Sequence, residues 1–199
     1  MKLLMSPTSP YVRKVRVLLR EASLLDVVEE VAVSTSPLGS APEVVAANPM
    51  GKIPALIRDD GPAIFDSRVI TRYLDDRAGS GLYPQARIWD VLTLEAIGDG
   101  IMDSAVSITY EGLWRPEEKQ FSGWTDAQWG KVARSVSTVN ERWMSHLAGP
   151  LDMAQIGVAC ALDYLDLRHD ARGWRHGNDA LAEWHSDFIK RASMEATKP

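Results

Sequence analysis

The first 78 residues alternate short apolar runs with stretches of helical periodicity. An apolar run at 2–5, bounded by Ser-Pro, predicts a first strand. Apolar residues then recur at three- and four-residue steps from Val12, with basic residues between them, which predicts a helix beginning at Ser9-Pro10. The β-branched stretch 27–33 predicts a second strand. A strand-helix-strand order implies two parallel strands joined by a right-handed crossover.

The next pattern is a pair of short apolar runs, 55–57 and 63–65, separated by a segment containing Asp-Gly. Asp-Gly favours a tight turn, so the pair predicts a β-hairpin. Asp66-Ser67 then precedes apolar residues at helical spacing and is predicted to cap a helix. We therefore predict the order β-α-β followed by β-β-α, with 34–41 as a loop.

Beyond the linker-like segment 79–86, strand signals fade and helical spacing dominates. Four helices are predicted, at 87–112, 125–147, 153–167 and 178–194. Asp152 and Gln155 are placed to form a capping box before the third of them. Gly100 costs about 1 kcal/mol relative to alanine inside a helix, which suggests close approach of another element. The predicted domains are 1–78 (α/β), the linker 79–86, and 87–199 (all-helical).

Charge and composition remove several classes of function. The net charge is −5 and no Lys/Arg cluster is present, which argues against nucleic acid as a partner. No apolar run approaches the roughly 20 residues of a membrane span, and the apolar start is too short for a signal peptide. The single cysteine, Cys160, excludes an intrachain disulfide and favours a reducing compartment, so we predict a cytoplasmic protein. The four histidines show no metal-ligand spacing, and no metal is predicted.

The segment Asn48 to Leu56, NPMGKIPAL, is the most informative motif. Gly51 allows a tight turn, and Pro54 should begin or flank a strand because it cannot donate to a ladder. Composition leaves the isomer of the Ile53–Pro54 bond open.

This motif resembles the N-P-x-G-[KR]-[VI]-P segment of the glutathione transferase family, and the resemblance extends along nearly the whole chain. It implies a thioredoxin-like N-terminal domain followed by an all-α helical bundle. It also implies a cis-Pro54 beside the bound peptide. Ile53 would pair its backbone with the cysteinyl part of glutathione, and Lys52 would neutralise the glycine carboxylate. Family members usually form twofold dimers, so a homodimer is expected.

Ser9 occupies the place where thioredoxin-like proteins carry the first cysteine of a C-P-x-C pair. Val12 replaces the second cysteine, which excludes dithiol chemistry at this site. A hydroxyl at a helix N-terminus can still donate a hydrogen bond to the thiolate of glutathione and lower its pKa. The resemblance gives Ser9 this catalytic role, whereas the residues alone explain it equally well as a helix cap. Thr8 and Tyr11 are the competing hydroxyls.

The resemblance assigns the γ-glutamyl end of glutathione to Asp66-Ser67. Ser67 would take the α-carboxylate and Asp66 the ammonium group. Asp103 is expected near the glutathione amine, from the same or from the other subunit, with a plain surface or interface charge as the alternative. Tyr110 and Trp114 are candidates for the wall of the second-substrate pocket, with core packing as the alternative.

The predicted activity is that of a glutathione transferase, in which glutathione is the co-substrate and its activated sulfur attacks an electrophilic small molecule. Two alternatives stay open. One is a non-catalytic glutathione-binding or protein-interaction module with the same fold, since fold alone does not prove activity. The other is a glutathione-dependent reductase or dehalogenase, which differs only in the electrophile and in how the product resolves.

Overall fold

A computed structural model describes all 199 residues and divides the chain into two compact units. The first unit comprises Met1–Pro84 together with Ala192–Pro199, and the second comprises Gln85–Arg191. The C-terminal segment thus groups with the first unit, whereas the predicted division keeps 87–199 together. No helix combines the length and the apolar character that crossing a membrane requires.

The first unit is built on a three-stranded sheet with the order β2-β1-β5. Its strands are β1 (Lys2–Met5), β2 (Glu29–Ala32) and β5 (Ala55–Ile57). As predicted, β1 pairs in parallel with β2, and it pairs antiparallel with β5.

The predicted strand at 63–65 is wrong in extent. Only Ile64 pairs with β5, through a single bridge to Leu56. Pro62 cannot donate to a ladder, and Asp66 already caps the next helix, so too few residues remain for a full strand.

Three helices and a small hairpin complete the first unit. The helices are α1 (Pro10–Glu21), α2 (Pro42–Ala47) and α3 (Ser67–Ala78). The predicted loop at 34–41 instead contains two two-residue strands, β3 (Thr35–Ser36) and β4 (Gly39–Ser40). α1 and α3 pack together, and the apolar side chains of the helices and the sheet are fully buried at the following positions: Leu3, Val15, Leu18, Leu19, Leu56, Ile70 and Leu74.

The C-terminal helix α9 (Ala192–Glu195) packs against α1. The buried Arg13 donates to the carbonyl of Met194 at 3.3 Å and lies 3.5 Å from the Thr197 hydroxyl. Arg16 lies 3.5 Å from the Thr197 carbonyl, so two arginines of α1 satisfy carbonyl groups near the end of the chain.

The second unit is all-helical. Its helices are α4 (Ile88–Trp114), α5 (Ser122–Arg142), α6 (Met144–Leu147), α7 (Met153–His169) and α8 (Asp179–Phe188). The single helix predicted over 178–194 is wrong, because α8 ends at Phe188. After Ile189, the amides of Lys190 and Arg191 bond to carbonyls only three residues back and tighten the chain into a turn.

α4 and α7 approach closely at a pair of glycines. A Cβ atom at Gly98 would lie 3.0 Å from the backbone carbon of Gly157, so only glycine fits without a shift. The prediction of a close approach at Gly100 is wrong, since a Cβ atom there would meet nothing within 4 Å. The glycine two residues earlier makes the contact because it lies on the buried face of α4.

Asp152 caps α7 as predicted. Its carboxylate accepts from the amides of Ala154 at 3.0 Å and Gln155 at 3.2 Å. The second half of the predicted capping box does not form. The Gln155 side-chain amide instead lies within 3.1–3.3 Å of four carbonyl oxygens of the preceding turn and ties that turn to the helix.

Candidate functional site

Three connections of the first unit meet at one end of the sheet. Leu4, near the end of β1, pairs with Ala55, the first residue of β5. Because these strands are antiparallel, the end of β1 and the start of β5 lie side by side. The bridge between Leu56 and Ile64 is also antiparallel, so the chain returns toward the same end and enters α3 through Asp66. The predicted residues of the first unit therefore cluster there.

Ser9 is half-buried at the start of α1. Its Oγ accepts a hydrogen bond from the Val12 amide at 3.4 Å, which confirms the predicted cap. A serine hydroxyl also carries a donor, and this one donates to no other group of the protein. Thr8 beside it is exposed, and Tyr11 is half-buried and takes part in an interaction within the protein. The Ser9 hydroxyl can therefore cap the helix and donate to a ligand at the same time.

The loop before β5 is braced by Asn48, which is 3% exposed. Its side-chain oxygen accepts from the Met50 amide at 3.0 Å, and its nitrogen donates to the Lys52 carbonyl at 2.8 Å. One side chain thus fixes both ends of the turn.

Gly51 holds the same loop against the β3–β4 hairpin. Its φ of +64° is a left-handed conformation that favours glycine. Its carbonyl accepts from the hydroxyls of Thr35 at 3.0 Å and Ser40 at 2.6 Å. A Cβ atom at this position would lie 2.9 Å from Ser40 Oγ, so a side chain would push the loop away.

This bracing presents an open stretch of backbone at Ile53. The Ile53–Pro54 bond is cis, as the resemblance implies. Neither the amide nor the carbonyl of Ile53 makes a hydrogen bond within the protein. The Lys52 side chain beside it is exposed and forms no ion pair. An unpaired donor and acceptor at the start of a strand can bind an extended peptide.

The third part of the site is the N-terminus of α3. Ser67 is 3% exposed, yet its hydroxyl makes no hydrogen bond to another protein group. Asp66 caps the helix through the Arg68 amide at 3.1 Å. The Arg68 guanidinium also lies on the Asp66 carboxylate, with its nearest nitrogen at 2.7 Å. A helix N-terminus with a free hydroxyl and a positive side chain favours a carboxylate ligand.

Arg68 is the site residue that the sequence reasoning missed. Partial burial opposes ionisation of Asp66, but the hydrogen bonds and charge of Arg68, with a smaller effect of Lys14, outweigh it and hold the Asp66 pKa below its usual range. The available signal was the position of Arg68 in the first turn of α3, two residues after the capping aspartate.

Comparison with known proteins decides the family. The model of the glutathione S-transferase N-terminal domain matches residues 8–77, and that of the C-terminal domain matches residues 122–186. The chain belongs to the glutathione S-transferase family. An uncharacterized GST-like protein of Escherichia coli K12, YibF, is 30% identical over 205 residues that span 100% of this chain and 98% of that protein.

Solved structures of a glutathione transferase family member from Pseudomonas fluorescens Pf-5 are also similar to this chain. One, with bound glutathione, is 43% identical with a TM-score of 0.97 and covers 100% of this chain and 98% of its own. Another, with bound S-(propanoic acid)-glutathione, is 42% identical with a TM-score of 0.92, and the match covers 100% of this chain and 99% of that chain. The predicted fold, a thioredoxin-like domain followed by a helical domain, is confirmed.

The remaining predicted residues lie on α4, in the second unit of this glutathione S-transferase family member. Asp103 is exposed on the helix surface and takes part in an interaction within the protein. Tyr110 is 44% and Trp114 45% exposed, so neither is a core residue. Partial burial raises the pKa of the Tyr110 hydroxyl, which keeps it protonated at neutral pH. Their roles toward a second substrate stay predictions.

Proposed function

We propose that this protein is a glutathione transferase that activates the thiol of bound glutathione for attack on an electrophilic carbon. The observation that carries the proposal is the unused donor of Ser9 at the N-terminus of α1. Family membership and the glutathione bound to the related Pseudomonas protein support glutathione as the ligand.

The backbone of Ile53 would hold the middle of glutathione. Its unpaired amide and carbonyl suit the cysteinyl residue, whose own backbone offers the complementary pair. The exposed ammonium of Lys52 would lie toward the glycine carboxylate. This placement sets the cysteinyl sulfur at the end of the sheet where α1 begins.

The N-terminus of α3 would hold the γ-glutamyl end. The α-carboxylate would accept from the Ser67 hydroxyl and from the first free amides of the helix. Arg68 adds a second positive group for this carboxylate. Asp66 would accept the ammonium group, and because its ion pair with Arg68 is exposed and therefore weak, the guanidinium can move aside.

The chemical step would begin with loss of the thiol proton to solvent. The Ser9 hydroxyl donates to the resulting thiolate, and the dipole of α1 favours the same negative charge. The sulfur lone pair then forms a bond to the electrophilic carbon. In a substitution the leaving group departs with its bonding electrons, and in an addition the developing carbanion takes a proton from solvent.

The thioether bound to the related Pseudomonas protein favours conjugation over reduction. S-(Propanoic acid)-glutathione carries a carbon substituent on sulfur. A site that accepts such a ligand has room for a small carboxylic acid beside the sulfur. We therefore propose small electrophiles of this size as the substrates to screen first.

The binding part of the proposal is tested by calorimetric titration with reduced glutathione. Ser67→Ala should weaken binding by roughly 10- to 150-fold, because one hydrogen bond to a charged group contributes about 1.5–3 kcal/mol. Ser34→Ala, in an exposed loop of the same unit, is the matched control and should leave affinity unchanged. Equal affinity of Ser67→Ala and wild type would contradict the γ-glutamyl assignment, and absence of saturable binding would contradict the function itself.

We further propose the twofold homodimer that the resemblance implies and the cytoplasmic location predicted from the cysteine content. Light scattering coupled to size-exclusion chromatography should give twice the chain mass of 22.0 kDa. A mass of one chain would refute the dimer without affecting the glutathione site of the first unit.

A further inference from the structure

The second unit contains a cluster of two carboxylates and one imidazole. Asp163 and Asp166 lie three residues apart on α7, so they share one face of the helix. His185 comes from α8. One ligand atom from each of the three lies within 4.8 Å of the other two, the spacing at which a single cation can contact all of them.

The imidazole of His185 is fully buried and poorly satisfied. Its Nε2 lies 2.9 Å from Asp163 Oδ1, but the two groups are not aligned for a hydrogen bond. Neither Nε2 nor Nδ1 of this imidazole has a hydrogen-bond partner in the protein. The Trp174 ring meets the imidazole edge-on, with centroids 5.6 Å apart, and shields it from water. Buried polar atoms are rarely left unpaired, so an imidazole with no hydrogen bond, directed into a carboxylate pair, points to a further ligand.

Asp166 is fixed in place by groups that surround the cluster. It accepts from Trp174 Nε1 at 2.7 Å and from two nitrogens of Arg175 at 2.5 and 2.6 Å. These contacts use three of the roughly four acceptor positions of a carboxylate, which leaves one. Outer hydrogen bonds of this kind orient the carboxylates that ligate metals.

The charge of the cluster also favours a cation. Asp163 and Asp166 bring two carboxylates to the same imidazole. The guanidinium of Arg175 donates to both oxygens of Asp166, so its single positive charge is directed at one carboxylate of the pair.

We propose that Asp163, Asp166 and His185 bind a divalent transition-metal cation that joins α7 to α8. One imidazole nitrogen and two carboxylate oxygens are suitable ligands for Zn²⁺, which accepts both atom types and is stable with three protein ligands and one water. The imidazole makes Mg²⁺ and Ca²⁺ poor matches, since both prefer oxygen ligands. The site belongs to the second unit and is independent of glutathione.

The test is calorimetric titration of the chelator-treated, tag-free protein with zinc chloride, without glutathione. We expect saturable binding of one Zn²⁺ per chain. Asp163→Asn and His185→Gln should each weaken it at least about tenfold, as even loss of an outer-shell partner does at known sites. His176→Gln and Asp187→Asn remove exposed groups of the same types and should leave binding unchanged.

A second measurement covers the case in which His185→Gln fails to fold. The melting temperature of the wild type should rise with zinc concentration, because a ligand that binds only the folded chain stabilises it. Asp163→Asn, whose side chain is partly exposed, should lose this rise. No saturable binding at one ion per chain, or equal binding by wild type and Asp163→Asn, would overturn the proposal.

Discussion

Replacing Asp152 with alanine should destabilise the protein strongly, because this buried carboxylate satisfies four donors at once. It caps α7 through the amides of Ala154 and Gln155, and it contacts His146 Nε2 at 2.8 Å and Arg87 at 3.1 Å. The carboxylate is fully buried, and the side chains of His146 and Arg87 are 9% and 28% exposed.

The magnitude follows from those contacts. Loss of an N-cap costs about 0.5–2 kcal/mol, and removing one partner of a buried ion pair costs about 3–5 kcal/mol. These costs overlap, so Asp152→Ala should lower the free energy of unfolding by about 3–5 kcal/mol. At roughly 2–4 °C per kcal/mol for a chain of this length, the melting temperature should fall by about 6–20 °C.

Urea unfolding monitored by tryptophan fluorescence measures this decrease in the free energy of unfolding, and two further variants separate its causes. Asp152→Asn keeps a good capping oxygen but removes the charge, so it should fall between wild type and Asp152→Ala. Asp187→Ala is the control, since this exposed aspartate pairs only with Lys190 and should change stability by less than about 0.5 kcal/mol. An Asp152→Ala variant within about 1 kcal/mol of wild type would show that the buried carboxylate does not stabilise the fold through these four donors.

Three further predictions concern packing and pH. Gly98→Ala should lower the free energy of unfolding in urea by about 1–3 kcal/mol, because the added methyl group clashes with α7. Gly100→Ala should leave this free energy unchanged or raise it by up to about 1 kcal/mol. Equal effects of the two substitutions would contradict the observed packing. Burial holds the His169 pKa below 6.5, so the unfolded chain takes up a proton at a higher pH than the folded chain does. The free energy of unfolding should therefore fall as the pH drops from 6.5 toward the lowered pKa of the folded state. His169→Phe should reduce this dependence of stability on pH. Burial opposes ionisation of Glu30, but two arginines of α1 outweigh it and lower the Glu30 pKa below 4.5. The ionised carboxylate should therefore stabilise the folded chain above pH 4.5, and this stabilisation should be lost as the pH falls through the lowered pKa. Glu30→Gln should lower the urea midpoint more at pH 7 than at pH 3.

The sequence predicted best those features that depend on local backbone chemistry. Ser9, Asp66 and Asp152 all cap helices as expected, because a short polar side chain before a helix has few other uses. The loop around Gly51 was also predictable, since glycine and proline restrict the backbone whatever surrounds them.

Features set by tertiary packing could not be predicted in this way. Periodicity did not distinguish Gly98 from Gly100, because the buried face of α4 is decided by where α7 packs. The cluster of Asp163 with His185 gave no signal either, since the two residues lie on different helices. The position of Arg68 in the first turn of α3 is a local signal, but its pairing with Asp66 also depends on a side-chain conformation that spacing does not determine.

The proposed function depends on the Ser9 hydroxyl lowering the thiol pKa of bound glutathione, and a pH titration of thiolate absorbance in the ultraviolet tests this directly. A hydrogen bond to a charged group contributes about 1.5–3 kcal/mol, so Ser9→Ala should raise that pKa by about 1–2 units. Ser9→Gly should do the same, because glycine retains most of the capping stability and lacks the hydroxyl. Thr8→Val should leave the pKa unchanged. An unaltered thiol pKa in both Ser9 variants would contradict the proposed role of Ser9 and move that role to another group at the start of α1.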